Sequence, residues 1–245
     1  MAHLDDARLV EMCRLGGAGA YEEIYRRHAP AAWRTAVAVI ADHELAAEAT
    51  ARAFAGVLGG GAGRSRPSTG ATPSWPGGLR TELLAATRAT AVEAMRCSDP
   101  RPDDQPTPAP APLPPVVAAL RRLPERWRSV LWLTEVEGLP LDEAAVVLGV
   151  STEGVAQLAA RARTGLLERA VLAIPPSPAE TAACRATTGR LAALVAGRLT
   201  EREQAGADEH LARCPACRER LAQVQGSTDS LRASALGPPV GMLAA

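Results

Sequence analysis

Three residues near the end of the chain, His210, Cys214 and Cys217, stand in a His-x3-Cys-x2-Cys spacing, and Cys184 lies upstream at the end of a Thr-Ala-Ala-Cys run. One imidazole nitrogen and three thiolates make a donor set suited to a tetrahedral zinc ion. The Cys-Pro-Ala-Cys turn would open a helix through Arg218 to Val224, whose first N–H groups stabilise the thiolates. Upstream, Leu191, Leu194 and Val195 form a helical stripe closed by Gly197. Thr200 and Glu203 then have the spacing of a capping box for the helix that delivers His210. Cys184, His210, Cys214 and Cys217 are therefore the expected metal ligands, with zinc as the expected cofactor. A Cys-x2-Cys redox pair and unrelated cysteines are the competing readings. Zinc would stand in for a core too small to hold itself together. With four protein ligands no position is left open for an activated water, so the metal would be structural. Cys13, Cys97 and His28 have no partner at metal spacing and are expected to be packed or half-exposed side chains.

A second constellation lies between Leu120 and Leu167. Ala145 is small where two helices would cross, Gly149 can take the positive φ of a tight inter-helix turn, and Val155 returns an apolar side chain to the crossing. Asp142 and Glu143 fall in the first turn of the leading helix, where the dipole favours acids, and Ser151 is a good N-cap for the second. This is the pattern of a helix-turn-helix, with a recognition helix from Thr152 to about Ala162. If Leu148, Val150, Val155 and Leu158 face inward, the outward face carries Thr152, Glu153, Ala156, Gln157, Ala160 and Arg161, with Arg163 and Arg169 beyond. Gln157 and Glu153 can read base edges, and the arginines suit phosphates. The expected DNA-facing residues are Thr152, Glu153, Ala156, Gln157, Arg161 and Arg163. An ordinary αα-hairpin with a solvated face is the plainer alternative. Arg121, Arg122, Arg126 and Arg128 cluster just before this motif, either as a basic face or as partners in surface ion pairs.

Elements must hold these residues, and composition says which kind. Aromatic residues make up 3% of the chain and Phe54 is the sole Phe, so cores must be built from Leu, Val and Ala, which favours helices over sheets. The formal net charge of zero argues against nucleic-acid binding by bulk electrostatics alone. No nucleophile-elbow motif, phosphate-binding glycine loop or paired carboxylates suggest an enzyme. No basic stretch followed by an apolar run opens the chain and no segment is apolar enough to span a membrane, so a cytoplasmic protein is expected.

Punctuation divides the chain. Residues 99–115 hold eight prolines in seventeen residues and read as an extended linker reaching up to about 50 Å. Ile174 to Pro178, Ile-Pro-Pro-Ser-Pro, marks a second break. The expected parts are a helical body over 1–98, the linker 99–115, a helix-turn-helix body over 116–173, a zinc module over 178–225 and a flexible tail over 226–245. In the first body, Leu4, Leu9, Val10 and Cys13 form one apolar stripe and Tyr21, Ile24, Tyr25 and His28 another. Gly59 to Gly78 carries seven glycines and three prolines. It could be a loop that orders on single-stranded DNA, with Trp75 as a stacking platform and Arg64 and Arg66 near phosphate, or an insertion without function.

The order LPERWRSVLWL, GLPLDEAAVVLGVS and GVAQLAARARTGL resembles region 4 of the extracytoplasmic-function (ECF) sigma factors, promoter-reading subunits of bacterial RNA polymerase. The resemblance implies that the second helix of the motif reads the −35 promoter element. Where that family usually shows a Thr-Val-Lys-Ser-Arg run, this chain has Gly154, Val155, Ala156, Gln157 and Leu158, so its base preference should differ. The first half of residues 1–98 is similar to region 2 of the same family, which docks on polymerase and melts the −10 element. The later part departs from the pattern at Glu48 to Phe54 and around Thr87 to Glu93. The cysteine pattern resembles the zinc-binding anti-sigma domain. Together these resemblances imply an all-α protein made of a region 2-like bundle, a helix-turn-helix domain and a small helical zinc domain. The implied function is a sigma factor with core RNA polymerase and promoter DNA as partners, no membrane partner, and an intramolecular contact between the zinc domain and the sigma-like parts. A sigma-derived DNA-binding regulator that no longer engages polymerase, or a zinc or thiol redox sensor acting through protein contacts, would share many of these features.

Overall fold

Short polar caps start the helices where the sequence places them. In the computed structural model Asp5 accepts the Arg8 N–H at 2.8 Å and opens α1 (Asp6–Arg14). Asp42 likewise accepts from Glu44 and Leu45, at 2.8 and 3.1 Å, to open α3 (His43–Leu58). Such caps satisfy N–H groups that no helical carbonyl can reach. The structure describes residues 4–40, 42–59, 75, 77–97, 115–175 and 180–234. Outside them lie the proline-rich segment up to residue 114, most of the glycine-rich segment with Arg64 and Arg66, part of the Ile174 to Pro178 joint, and residues 235–245. Among the described residues every regular element is helical and there is no strand, as the composition requires.

The chain divides into two units, one formed by residues 1–104 and 132–156, the other by 105–131 and 157–236. In the first, α1, α2 (Ala18–Val39), α3 and α4 (Gly78–Cys97) pack around Leu9, Val10, Ile24, Phe54, Leu83 and Leu84, all at most 2% exposed. Both stripes expected here point partly inward, with Leu9, Val10 and Ile24 buried and Tyr25 set edge-on to Phe54 at 4.9 Å between ring centroids. A second cluster, Trp33, Ala36, Val39, Ile40, Ala46, Ala49 and Ala91, uses alanine to let the helices approach closely. The same unit contains a wider π-turn at Trp132–Val136, closed by Glu137 N–H to Trp132 C=O at 2.9 Å, and α7 (Leu141–Leu148), which lies against α4.

In the second unit are α5 (Pro115–Arg121), α6 (Glu125–Leu131) and most of α8 (Thr152–Ala173). With them are α9 (Ala182–Thr188), α10 (Leu191–Val195), α11 (Glu201–Arg213), α12 (Pro215–Gln225) and α13 (Ser227–Ser234). The Thr200–Glu203 capping box is formed, and Gly197 takes φ +63° after α10. Val171 of α8, Leu191 and Ala192 of α10 and Val224 of α12 form one buried cluster, with Leu167, Ile174, Leu194, Val195 and Leu221 around it.

Two expectations need correction. The recognition helix runs to Ala173 instead of stopping near Ala162, because Leu166, Ala170 and Val171 continue its apolar face. Residues 227–234, expected to be flexible tail, form α13, which packs on α5 with Leu231 1% exposed. Residues 116–173 contribute to both units, and the segment that follows them shares a core with the end of α8.

Candidate functional site

The four expected metal ligands converge from three helices. Cys184 lies in the first turn of α9, His210 in the last turn of α11, Cys214 in the extended residue between α11 and α12, and Cys217 in the first turn of α12. Their donor atoms all lie within 4.8 Å of one another. Cys184 Sγ is 3.9 Å from Cys214 Sγ, and His210 Nε2 is 3.3 Å from Cys217 Sγ. Zinc bonds of about 2.3 Å to sulfur and about 2.0 Å to nitrogen put tetrahedral donors roughly 3.8 Å and 3.5 Å apart, so the separations fit that ion. Leu211, Leu194 and Leu221 pack around the sulfurs, and Cys184 and Cys217 are buried, while His210 and Cys214 are half-buried, so an apolar shell covers one side of the cluster.

Local structure tunes these thiols. Thr181 is the N-cap of α9: its Oγ1 accepts the Cys184 N–H and donates to Cys184 Sγ, both at 3.2 Å. That donated hydrogen bond brings the Cys184 thiol down to about 6. Burial pushes Cys217 up to about 12, with the neighbouring cysteines adding to the rise. Arg218 reaches back to the carbonyls of Leu211 and Ala212 at 2.7 and 3.1 Å and closes the end of α11 beside His210. Thr181 was legible as a cap in the Thr-Ala-Ala-Cys run, but its bond to sulfur is a tertiary consequence. Cys13 and Cys97 stand apart from this group.

The helix-turn-helix geometry follows its small residues. Gly149 has φ +66° and ψ +40°, a conformation that costs a side-chain-bearing residue about 1 kcal/mol, and its N–H caps α7 at Ala145 C=O. Asp142 and Glu143 occupy the first turn of α7. Ser151 Oγ accepts the Gly154 N–H at 3.1 Å, which opens α8. Ala145, Leu148 and Val155 are buried, while Val150 and Leu158 are half-buried. Thr152, Glu153, Ala156, Gln157, Arg161 and Arg163 are all exposed along one continuous helix, and Ala160 lies with them. Trp127 packs against α8 at Gly165, where a methyl group would collide with the indole.

The leading arginines divide. Arg121, Arg122 and Arg126 are exposed, but Arg128 turns inward to donate to Leu123 C=O at 2.8 Å and Arg121 C=O at 3.4 Å. Arg128 therefore holds the turn between α5 and α6 and does not belong to a basic face. An ion-pair clasp was not foreseeable from spacing: Glu137, its side chain 2% exposed, accepts from Arg34 of α2 at 2.8 and 3.0 Å and from Arg80 of α4 at 3.2 Å. Beside it Thr81 donates to Glu143 at 2.8 Å. These bonds tie the bundle to both ends of the turn into α7.

Residues 115–166 match the family model described as Sigma-70, region 4, and residues 184–218 match the model described as "Putative zinc-finger". The first match begins with α5 and ends within α8, and the second spans all four cluster residues. Neither family is enzymatic. No curated protein and no solved structure matches the chain. No helix among the described residues is long and apolar enough to cross a membrane. With the exposed face of α8 and the Cys3His cluster on one polypeptide, the chain resembles, over these two segments, an ECF sigma factor carrying a zinc anti-sigma-like domain.

Proposed function

We propose that the protein is an ECF-type transcription initiation factor that directs core RNA polymerase to promoter DNA in the cytoplasm, under the control of its own zinc domain. Thr152, Glu153, Ala156, Gln157, Arg161 and Arg163 of α8 face DNA. Gln157 and Glu153 meet base edges, while Arg161 and Arg163 meet phosphates. The bundle of residues 4–97 supplies the polymerase-binding and DNA-melting surface. One zinc held by Cys184, His210, Cys214 and Cys217 fixes α9, α11 and α12 as a structural staple, since ligation free energy becomes folding free energy in a unit this small. The observation that carries the reading is the region 4 match over a helix-turn-helix whose recognition face is exposed. The buried cluster of Val171 with Leu191, Ala192 and Val224 supports control in cis, because metal-dependent folding around the cluster would act on the far end of the recognition helix.

The test is pull-down of core polymerase by the full chain, combined with selection from a pool of random-sequence duplexes. Core retention and an enriched motif are expected. An enriched motif without core retention would leave a DNA-binding regulator, and neither result would leave a protein-contact sensor.

A further inference from the structure

On α12, Arg220 lies one turn beyond Cys217 and shares its face, at 7% exposure. Its guanidinium makes three connections that no surface arginine would need. Nη1 donates to Glu180 Oε1 and, at 3.0 Å, to Thr188 Oγ1, and Nη2 donates to Pro175 C=O at 3.2 Å. Glu180 immediately precedes Thr181, the cap that bonds Cys184 Sγ, and Thr188 ends the helix that carries Cys184. Pro175 follows the end of α8 by two residues. One side chain thus bridges the two cysteine-bearing helices and the exit of the recognition helix. The Glu180 carboxylate is itself 10% exposed, so the pair is desolvated and its geometry is fixed by both partners.

We infer that Arg220 is a positioning residue that couples the metal cluster to the recognition helix: with the ligands gathered, Arg220 is held against Glu180 and Thr188, and its second nitrogen anchors the α8 exit at Pro175. This rests on the proposed reading of the cluster as a zinc site and of α8 as the DNA-facing helix. Two links run in parallel between α12 and α8. The apolar one passes through Val224 and Leu221 to Val171 and Leu167; it is non-directional and tolerates sliding. The polar one through Arg220 is directional, since a planar guanidinium fills its acceptors in one orientation only. Loss of metal frees Cys184 and Cys217 to separate, which pulls Glu180 and Thr188 away from Arg220 and leaves the Pro175 carbonyl unheld. Gln157, Arg161 and Arg163 ride on the same helix and in the same unit as that exit. A shift at the exit therefore reaches them through a rigid element.

The experiment uses the full chain with and without EDTA, following zinc content, hydrogen exchange of residues 166–173 and binding to a pool of random duplexes. For the unaltered protein, chelation should deprotect 166–173 and change DNA affinity by about tenfold, within the usual range of coupling between sites. Arg220→Met and the milder Thr188→Val should keep one zinc per chain yet show 166–173 deprotected while zinc is bound. Their response of DNA affinity to chelation should shrink to about twofold or less. If Arg220→Met loses zinc outright, Thr188→Val and Glu180→Gln decide the matter, since the first removes an acceptor, the second removes the charge that pairs with the guanidinium, and both leave the ligands intact. Full protection of 166–173 in the zinc-bound forms of these variants would overturn the coupling, as would exchange in the unaltered protein that ignores chelation. Exchange that responds while DNA affinity does not would leave the coupling standing and remove the DNA-facing reading of α8.

Discussion

Cys217 is the most buried member of the Cys3His cluster, at 1% exposed, and burial, with Cys214 and Cys184 beside it, opposes its thiolate. The proposed zinc ion would supply the charge that the thiolate needs there. Cys217→Ser should release the zinc and unfold α9 to α12, checked by metal analysis and circular dichroism, whereas stoichiometric zinc in both Cys214→Ser and Cys217→Ser would remove the site. On α8, Arg161→Ala or Arg163→Ala should weaken binding to all duplexes and lower the slope of log affinity against log salt by about one unit. Gln157→Ala should change the selected motif instead. In the bundle, His28 lies 2.8 Å from Asp6 and is lowered from 6.5 by burial, with Asp6 opposing and Arg80 and Arg27 assisting. The unfolded chain then takes up the proton first, so the bundle should lose stability as pH falls below 6.5 and keep it above. His28→Gln should flatten that slope in denaturant titrations.

At the scale of elements, local signals were legible and distant ones were not. Ser151, Gly149 and the Thr200–Glu203 box act within four residues of themselves, so the turn, the start of α8 and the start of α11 could be read directly. The cysteine cluster was legible because metal chemistry restricts donor types, even though Cys184 and Cys214 are far apart in sequence. Helix α13 was missed because Leu231 is a lone buried apolar side chain in a polar segment, with Ser227 bonded back to the Gln223 carbonyl, and a single apolar residue sets no period until α5 is in place. The Glu137 clasp joins residues from α2, α4 and the turn before α7, and no spacing rule relates them. Its energetics can be tested. Arg34→Met should cost about 3 kcal/mol in urea unfolding, because it leaves a buried carboxylate short of its bidentate partner. Arg80 is 39% exposed, so Arg80→Met should cost less, about 1 kcal/mol.

For the whole molecule, the two compact units each draw on the segment between residues 115 and 173. Residues 132–156 belong with the N-terminal bundle, and the ends of the region 4 segment belong with the zinc module. The shared cluster of Val171, Leu191, Ala192 and Val224 means that a chain ending at Ala173 would expose Val171 and Leu167. Removing metal from the intact chain is therefore a cleaner probe of control in cis than truncation. The most direct measurement is transcription by purified core RNA polymerase on a pool of random-sequence templates, with the full chain added in its zinc-bound and chelated forms. Chain-dependent transcripts starting downstream of a common motif, in amounts that change on chelation, are the expected result. The absence of chain-dependent transcripts in both metal states, with core polymerase active alongside a known factor, would contradict the assignment as an initiation factor.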